Sequence, residues 1–177
     1  MKKKFYSLLF TAALTVAAAI SAQAAASEPM YSYDFATTGQ VGEWTPYDAN
    51  DDGTGWTVLQ NYGARVYSYS GANDDYLISP LLQLEAGVSY QVDIAINDYS
   101  TNGAKLNVMY GTSLDGSGYT DAGAIDTTPG STGSITFTVP TSGEYRIALH
   151  ETSDALISIY VENIQVTAIG GGDTPAE

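Results

Sequence analysis

The amino-acid sequence predicts an all-β fold, an antiparallel β-sandwich. Apolar residues recur at every second position: Val88, Tyr90, Val92, Ile94 and Ile96 alternate with Ser89, Gln91, Asp93 and Ala95. A strand with one apolar and one polar face reads this way, and two sheets of such strands bury their apolar faces against each other. No apolar set of helical period follows the N-terminal leader. The breaks between alternating runs are rich in Gly, Asn, Asp and Ser.

Taken in order, short strands are expected at residues 31–35, 56–59, 65–69 and 76–79, where Tyr, Trp, Val and Ile stand between turn residues. The run at 88–96 follows. Leu106, Val108 and Tyr110 then alternate with Lys105, Asn107 and Met109. Ile135, Phe137 and Val139 alternate with Ser134, Thr136 and Thr138, and Tyr145, Ile147 and Leu149 with Glu144, Arg146 and Ala148. In the last strand Ile157, Ile159 and Val161 share one parity, while Ile164 and Val166 take the other. One residue must be absorbed near Glu162-Asn163, most simply by a β-bulge or by a bend at a sandwich corner. The segment 111–133, rich in Gly, Thr, Ser and Asp, is expected to contain a mobile loop, and 170–177 reads as a flexible tail.

The leader sets the compartment. Lys2, Lys3 and Lys4 precede an apolar run over 8–20 and the A-x-A site Ala22-Gln23-Ala24, so residues 1–24 read as a secretory signal, too short for a comfortable membrane span. The chain is expected to be secreted or held at a cell surface, with one sandwich domain over residues 25–169. That length suits one ordinary core. Cysteine is absent, which excludes disulfides, a lipidated cysteine, thiol catalysis and thiolate zinc sites. Without the leader, Arg65, Lys105 and Arg146 face 20 acidic residues. Such a surface repels nucleic acid and anionic membranes and favours cations. Neither a nucleic-acid partner nor membrane insertion is expected.

One acidic loop stands out. Asp48, Asn50 and Asp52 place oxygens at alternate positions, and Gly53 permits a sharp turn. Calcium takes such oxygen ligands from a tightly turned loop, and the first half of an EF-hand is spaced alike. The twelfth position is Leu59 rather than a bidentate Glu, so this is not an EF-hand. A plain solvated turn is the other reading.

The same stretch carries a resemblance. Trp44, Asp48-Ala49-Asn50-Asp51-Asp52-Gly53, Trp56, Tyr69-Ser70-Gly71 and Asp74-Asp75-Tyr76-Leu77-Ile78-Ser79-Pro80 resemble the cleaved-adhesin domains of gingipain haemagglutinin/adhesin regions and of choice-of-anchor J surface proteins. The resemblance continues through Leu84-Glu85-Ala86-Gly87-Val88-Ser89-Tyr90 and returns at Val161-Glu162-Asn163-Ile164-Gln165-Val166. It implies a jelly-roll β-sandwich with structural calcium and an adhesive or carbohydrate-binding role. In a jelly roll the first and last strands lie close, so Asp34 or Glu162 would complete the shell begun by Asp48, Asn50 and Asp52. Many relatives have Asp-Asn where this chain has Glu162-Asn163.

Catalysis has little support. The single histidine, His150, ends an expected strand. Gly111-Thr112-Ser113-Leu114-Asp115 lacks the second glycine of a nucleophile elbow, and neither a phosphate-binding Gly-rich loop nor H-E-x-x-H occurs. The chain is therefore read as a non-enzyme. Aromatics are better candidates, with 14 tyrosines against four phenylalanines. Tyr47, Tyr62, Tyr99 and Tyr119 fall in expected loops, where a ring can receive the C–H face of a sugar. Tyr31, Tyr33, Tyr67, Tyr69, Tyr90, Tyr110 and Tyr145 are expected to pack in the core or across strands, and Trp44 and Trp56 around the acidic loop. Three functions fit: an adhesin module for surface protein or glycan, a carbohydrate-binding module with a loop-tyrosine platform, and an accessory domain of a larger surface protein.

Overall fold

The computed structural model describes residues 28–170 except 102, 128, 129 and 155. The expected signal segment and all but the first residue of the expected tail lie outside the described residues. Twelve strands and one short helix form two antiparallel sheets around one apolar core: β1 (Tyr31–Asp34), α1 (Phe35–Thr38), β2 (Thr45–Asp48), β3 (Thr57–Leu59), β4 (Gly63–Ser68), β5 (Asp75–Ile78), β6 (Leu82–Leu84), β7 (Ser89–Asp98), β8 (Leu106–Gly111), β9 (Thr120–Ile125), β10 (Thr132–Thr138), β11 (Gly143–Glu151) and β12 (Ile157–Gly170). The first sheet runs β10-β7-β12-β4-β3, with β1 also on β12. The second runs β2-β5-β11-β8-β9, with β6 also on β11.

The period-two runs fill the space between the sheets. Tyr90, Val92, Ile94 and Ile96 of β7, Ala64 and Val66 of β4, and Leu106 and Val108 of β8 are all buried in one cluster. The parity change in β12 is a bulge, as expected. Val161 pairs with Ile96 and Asn163 with Ala95, so Glu162 is the extra residue. Ile157, Ile159 and Val161 before it, and Ile164 and Val166 after it, thereby all point inward and are buried.

Three elements differ from expectation. Residues 111–133 hold more than the expected loop. They contain β9, which pairs with β8 from Leu106↔Ile125 to Tyr110↔Thr120. Its sequence lacks apolar alternation because it is an exposed edge strand with Ile125 alone buried. Tyr47 lies on β2 rather than in a loop, beside Pro46, which only an edge strand tolerates without losing a ladder bond. The helix α1 is one turn, closed by Gly39 at φ 64°.

Gly63 opens β4 against the bulge. Its φ is 115°, and a Cβ there would collide with the Val161 carbonyl. Gly63→Ala is expected to destabilise the domain by about 3 kcal/mol or more, from backbone strain and displaced β12 together. Chemical denaturation checks this, and a change under about 1 kcal/mol would mean that β12 yields easily at its bulge.

Candidate functional site

The acidic loop sits at the end of the second sheet, where β2 and β5 place Asp48 opposite Asp75. The loop curls onto its own amides. The Gly53 N–H donates to Asp48 Oδ2 at 2.9 Å, and the Thr54 N–H to Asp52 Oδ1 at 2.7 Å. The hydroxyl and amide of Thr54 hold Asp52 below the usual carboxylate range. Asn50 Nδ2 donates to the Ala72 carbonyl at 2.7 Å, and the Ala49 N–H to the Asp74 carbonyl at 2.9 Å. These bonds tie the loop to the strand that carries Asp75.

Asp75 is the unusual member. Its parity turns it inward, it is fully buried, and neither carboxylate oxygen has a hydrogen-bond partner. Beneath it the Trp56 Nε1–H donates to its main-chain carbonyl at 3.2 Å. Neighbouring Asn73 is buried with its Oδ1 unpartnered, while its Nδ2 donates to Glu151 Oε2 at 2.8 Å. Burial, then the charges of Asp48, Asp52, Glu151 and Asp74, push the Asp75 carboxyl up to about 7. Gly55 closes the space above, since a Cβ there would stand 3.4 Å from Asp75 Oδ1 and 3.9 Å from Asp48 Cβ. Among the described residues no three acidic or imidazole groups already form a metal cage. The unpartnered oxygens of Asp75 and Asn73 beside the carboxylates of Asp48 and Asp52 nevertheless make a donor set suited to a hard, oxygen-seeking cation.

The terminal-strand acids do not join them. The first and last strands do lie side by side, with Asp34 opposite Asn163, but in the first sheet rather than the second. Asp34 caps α1, taking the Thr37 N–H at 2.8 Å and the Thr37 hydroxyl at 2.7 Å. Asn97 Nδ2 donates to Glu162. The acids that crowd Asp75 are Asp74 and Glu151 instead, both absent from the set chosen on spacing. Of the two tryptophans, Trp56 packs under the acidic loop. Trp44 sits against Phe35 and Tyr31, donating to the Tyr31 hydroxyl at 2.8 Å.

The four candidate tyrosines divide between the two sheets. Tyr47 and Tyr119 belong to the second. In register across β2, β5, β11 and β8, Tyr47, Tyr76, His150 and Asn107 form one row on its outer face. Tyr76 stacks on His150 at 3.9 Å and 11°, and Tyr47 lies 6.2 Å from Tyr76. His150 Nε2 meets Asp74 Oδ1 at 2.6 Å, and Asn107 Nδ2 donates to Asp121 at 2.8 Å. The 112–119 loop leans over this row: a Cβ on Gly116 would stand 2.8 Å from the Tyr76 ring. Tyr119 is fixed there by its hydroxyl, which donates to the Ser113 carbonyl at 2.8 Å, and burial pushes that phenol up to about 12. Tyr62 and Tyr99 stand on the first sheet and both touch Tyr160.

Asp75 gives the ion-free domain a pH dependence. A carboxyl at about 7 in the folded chain, against an ordinary 3.8, keeps its proton longer folded than unfolded. Stability is therefore full below about pH 4 and falls as pH rises through 7, by a total on the order of 4 kcal/mol. In chelator the wild type should melt lower at pH 8 than at pH 5, and Asp75→Asn should remove most of that slope. An unchanged slope in the variant would place the titration elsewhere.

No protein-family model and no curated protein matches the chain. Solved structures do match in fold. The K3 cleaved adhesin domain of Lys-gingipain from Porphyromonas gingivalis superposes with a TM-score of 0.61 at 17% identity, over 79% of this chain and 99% of that one. The CBM22-1 xylan-binding domain of Paenibacillus barcinonensis Xyn10C gives 0.54 at 14% identity, over 82% and 97%. TmCBM61, solved with β-1,4-galactotriose, gives 0.51 at 13%, over 74% and 92%. The chain is thus a jelly-roll-like β-sandwich with the fold of cleaved-adhesin and carbohydrate-binding domains.

Proposed function

We propose that the domain is a non-catalytic extracellular binding module, stabilised by calcium, that takes a glycan on the outer face of its second sheet. The observation that carries this reading is the row Tyr47, Tyr76, His150 and Asn107, set side by side by strand register and bounded by Tyr119. Aromatic faces offer apolar area to the C–H face of a sugar, and the Asn107 amide, Asp74 and Asp121 offer partners for its hydroxyls. Neighbours in fold include a xylan-binding domain and a module solved with a galactotriose, which supports a sugar as the ligand class. His150 is engaged by Tyr76 and Asp74, so it serves the row as a wall rather than as a free base.

Calcium belongs to the same reading. Asp48, Asp52 and Asp75 with the Asn73 side-chain oxygen would hold it, and its charge would offset the burial and the neighbouring negative charges that raise Asp75. Calcium at a hundredfold excess over Kd should raise stability by about 2.7 kcal/mol. Thermal melts in calcium and in chelator measure this, and Asp75→Asn should abolish the difference. Equal midpoints for the wild type would remove calcium from the proposal.

A glycan screen of the calcium-loaded domain tests the ligand. Tyr47→Ala and Asn107→Ala are each expected to weaken the best hit about tenfold. Tyr47 is half-buried at an edge strand, so its melting temperature should move little. Full affinity in both variants would place the ligand off this face.

A further inference from the structure

Among the described residues, the most exposed rings lie on the other sheet. Tyr62, Tyr67, Tyr69 and Tyr99 are 60%, 46%, 74% and 66% exposed, on the first sheet and at its margin. Of the two placements expected for Tyr67 and Tyr69, in the core or packed across strands, their exposure rules out the core. They share the outward parity of Arg65, while Ala64, Val66 and Ser68 point inward. Tyr62, Tyr160 and Tyr99 continue this surface, with ring centroids 5.9 and 5.7 Å apart.

Beside Tyr99 opens a groove of about 220 Å³, walled by Tyr67, Tyr69, Tyr99 and Leu156, with Thr101 and Ser158 also lining it. Its frame is built by main-chain bonds. Ser158 pairs with Tyr67 across β12 and β4, and the Tyr99 N–H donates to the Ser158 carbonyl at 2.8 Å. Leu156 holds φ at 58°, a left-handed conformation that costs a non-glycine residue about 1 kcal/mol, and remains 41% exposed at the groove. Local strain that leaves an apolar side chain in solvent is unproductive for folding.

The lining defines the ligand. It carries no charged side chain, in a protein of formal net charge −14. A cation would be drawn to the acids elsewhere and an anion repelled, so the occupant is neutral. The volume is below that of an ordinary drug-sized site and suits a single six-membered ring. Arg65 already covers Tyr67, 5.0 Å from its centroid, which leaves Tyr69 and Tyr99 as the open faces. Apolar faces with hydroxyl groups between them match a pyranose, whose C–H face is apolar and whose edge is polar.

We propose that this groove is a second carbohydrate contact, seating one neutral pyranose residue on Tyr69 and Tyr99, so that the domain engages glycan from both of its sheets. The proposal rests on the glycan reading above and extends it to a face which that reading does not use. The test is a residue-resolved NMR titration of the calcium-loaded domain. Probes are the methyl pyranosides of glucose, galactose, mannose and xylose at high millimolar concentration, then β-1,4-galactotriose and xylohexaose. At least one probe should shift Tyr69, Tyr99, Leu156 and Ser158. Tyr69→Ala with Tyr99→Ala should weaken that response about tenfold or more while the melting temperature holds, and Tyr47→Ala should leave it intact. Shifts confined to the Tyr47–Asn107 row would overturn the second site and leave the first standing. Shifts confined to the groove, with Tyr47→Ala silent, would uphold the groove as a sugar site but overturn both the placement on the second sheet and the engagement from two sheets. Silence of the groove toward every probe would overturn the proposal. So would a concentration-dependent dimer that the double variant dissociates, since the rings would then be an interface between copies.

Discussion

The strand that everything else leans on is β12. It pairs with β7 along one side and with β4 and then β1 along the other, so it holds the first sheet together. The chain has no covalent cross-link to do this instead. Ile157, Ile159, Val161, Ile164 and Val166 are all buried only because the extra residue at Glu162 resets the parity between Val161 and Asn163. Each such side chain contributes about 1.5–3 kcal/mol by burial, so a β12 without that extra residue would turn Ile164 and Val166 outward and lose about 3–6 kcal/mol, a large share of a domain stability of about 5–15 kcal/mol. The same strand sets the surface. Ser158 and Tyr160 reach the outer face between Tyr67 on one side and Tyr99 on the other because their inward neighbours are committed to the core.

The second sheet carries the opposite economy. Asp75 occupies an inward position that an apolar residue would fill at no electrostatic cost. Instead two carboxylate oxygens and the Asn73 oxygen are buried without partners, among Asp48, Asp52, Asp74 and Glu151. Leaving such groups unmet costs about 1–3 kcal/mol each. Order at this end of the sandwich is therefore conditional on protonation or on a cation, whereas order at the β12 core is not.

Much of this was legible in the residues. Period-two runs located the long strands, and the parity break in the last strand placed an irregularity near Glu162-Asn163, which is a bulge at Glu162. What escaped had physical reasons. β9 is an edge strand with one buried side chain, so it writes no alternation into Thr120-Asp121-Ala122-Gly123-Ala124-Ile125. The adjacency of β1 and β12 was foreseeable, but not that the acidic loop belongs to the other sheet. That is a question of topology, and it misplaced Asp34 and Glu162. Two signals were present and unused. Arg65 marks the outward parity of its strand and hence the exposure of Tyr67 and Tyr69. Asp75 shares the inward parity of Leu77, which flags a buried charge in need of a partner.

The borders of both sheets bear on how such molecules coexist at high local density. A sheet with an open, regular border invites the border of its neighbour, and chains with exposed rings are prone to join this way. Here the second sheet ends at β2, four residues long and interrupted by Pro46, and at β9, where Ala122 is an unpaired extra residue next to Gly123 at φ 145°. The first sheet ends on one side at β3, only three residues long. None of these three margins offers the unbroken ladder of donors and acceptors that a second copy needs in order to add on. At these three margins copies packed side by side would thus not join sheet to sheet.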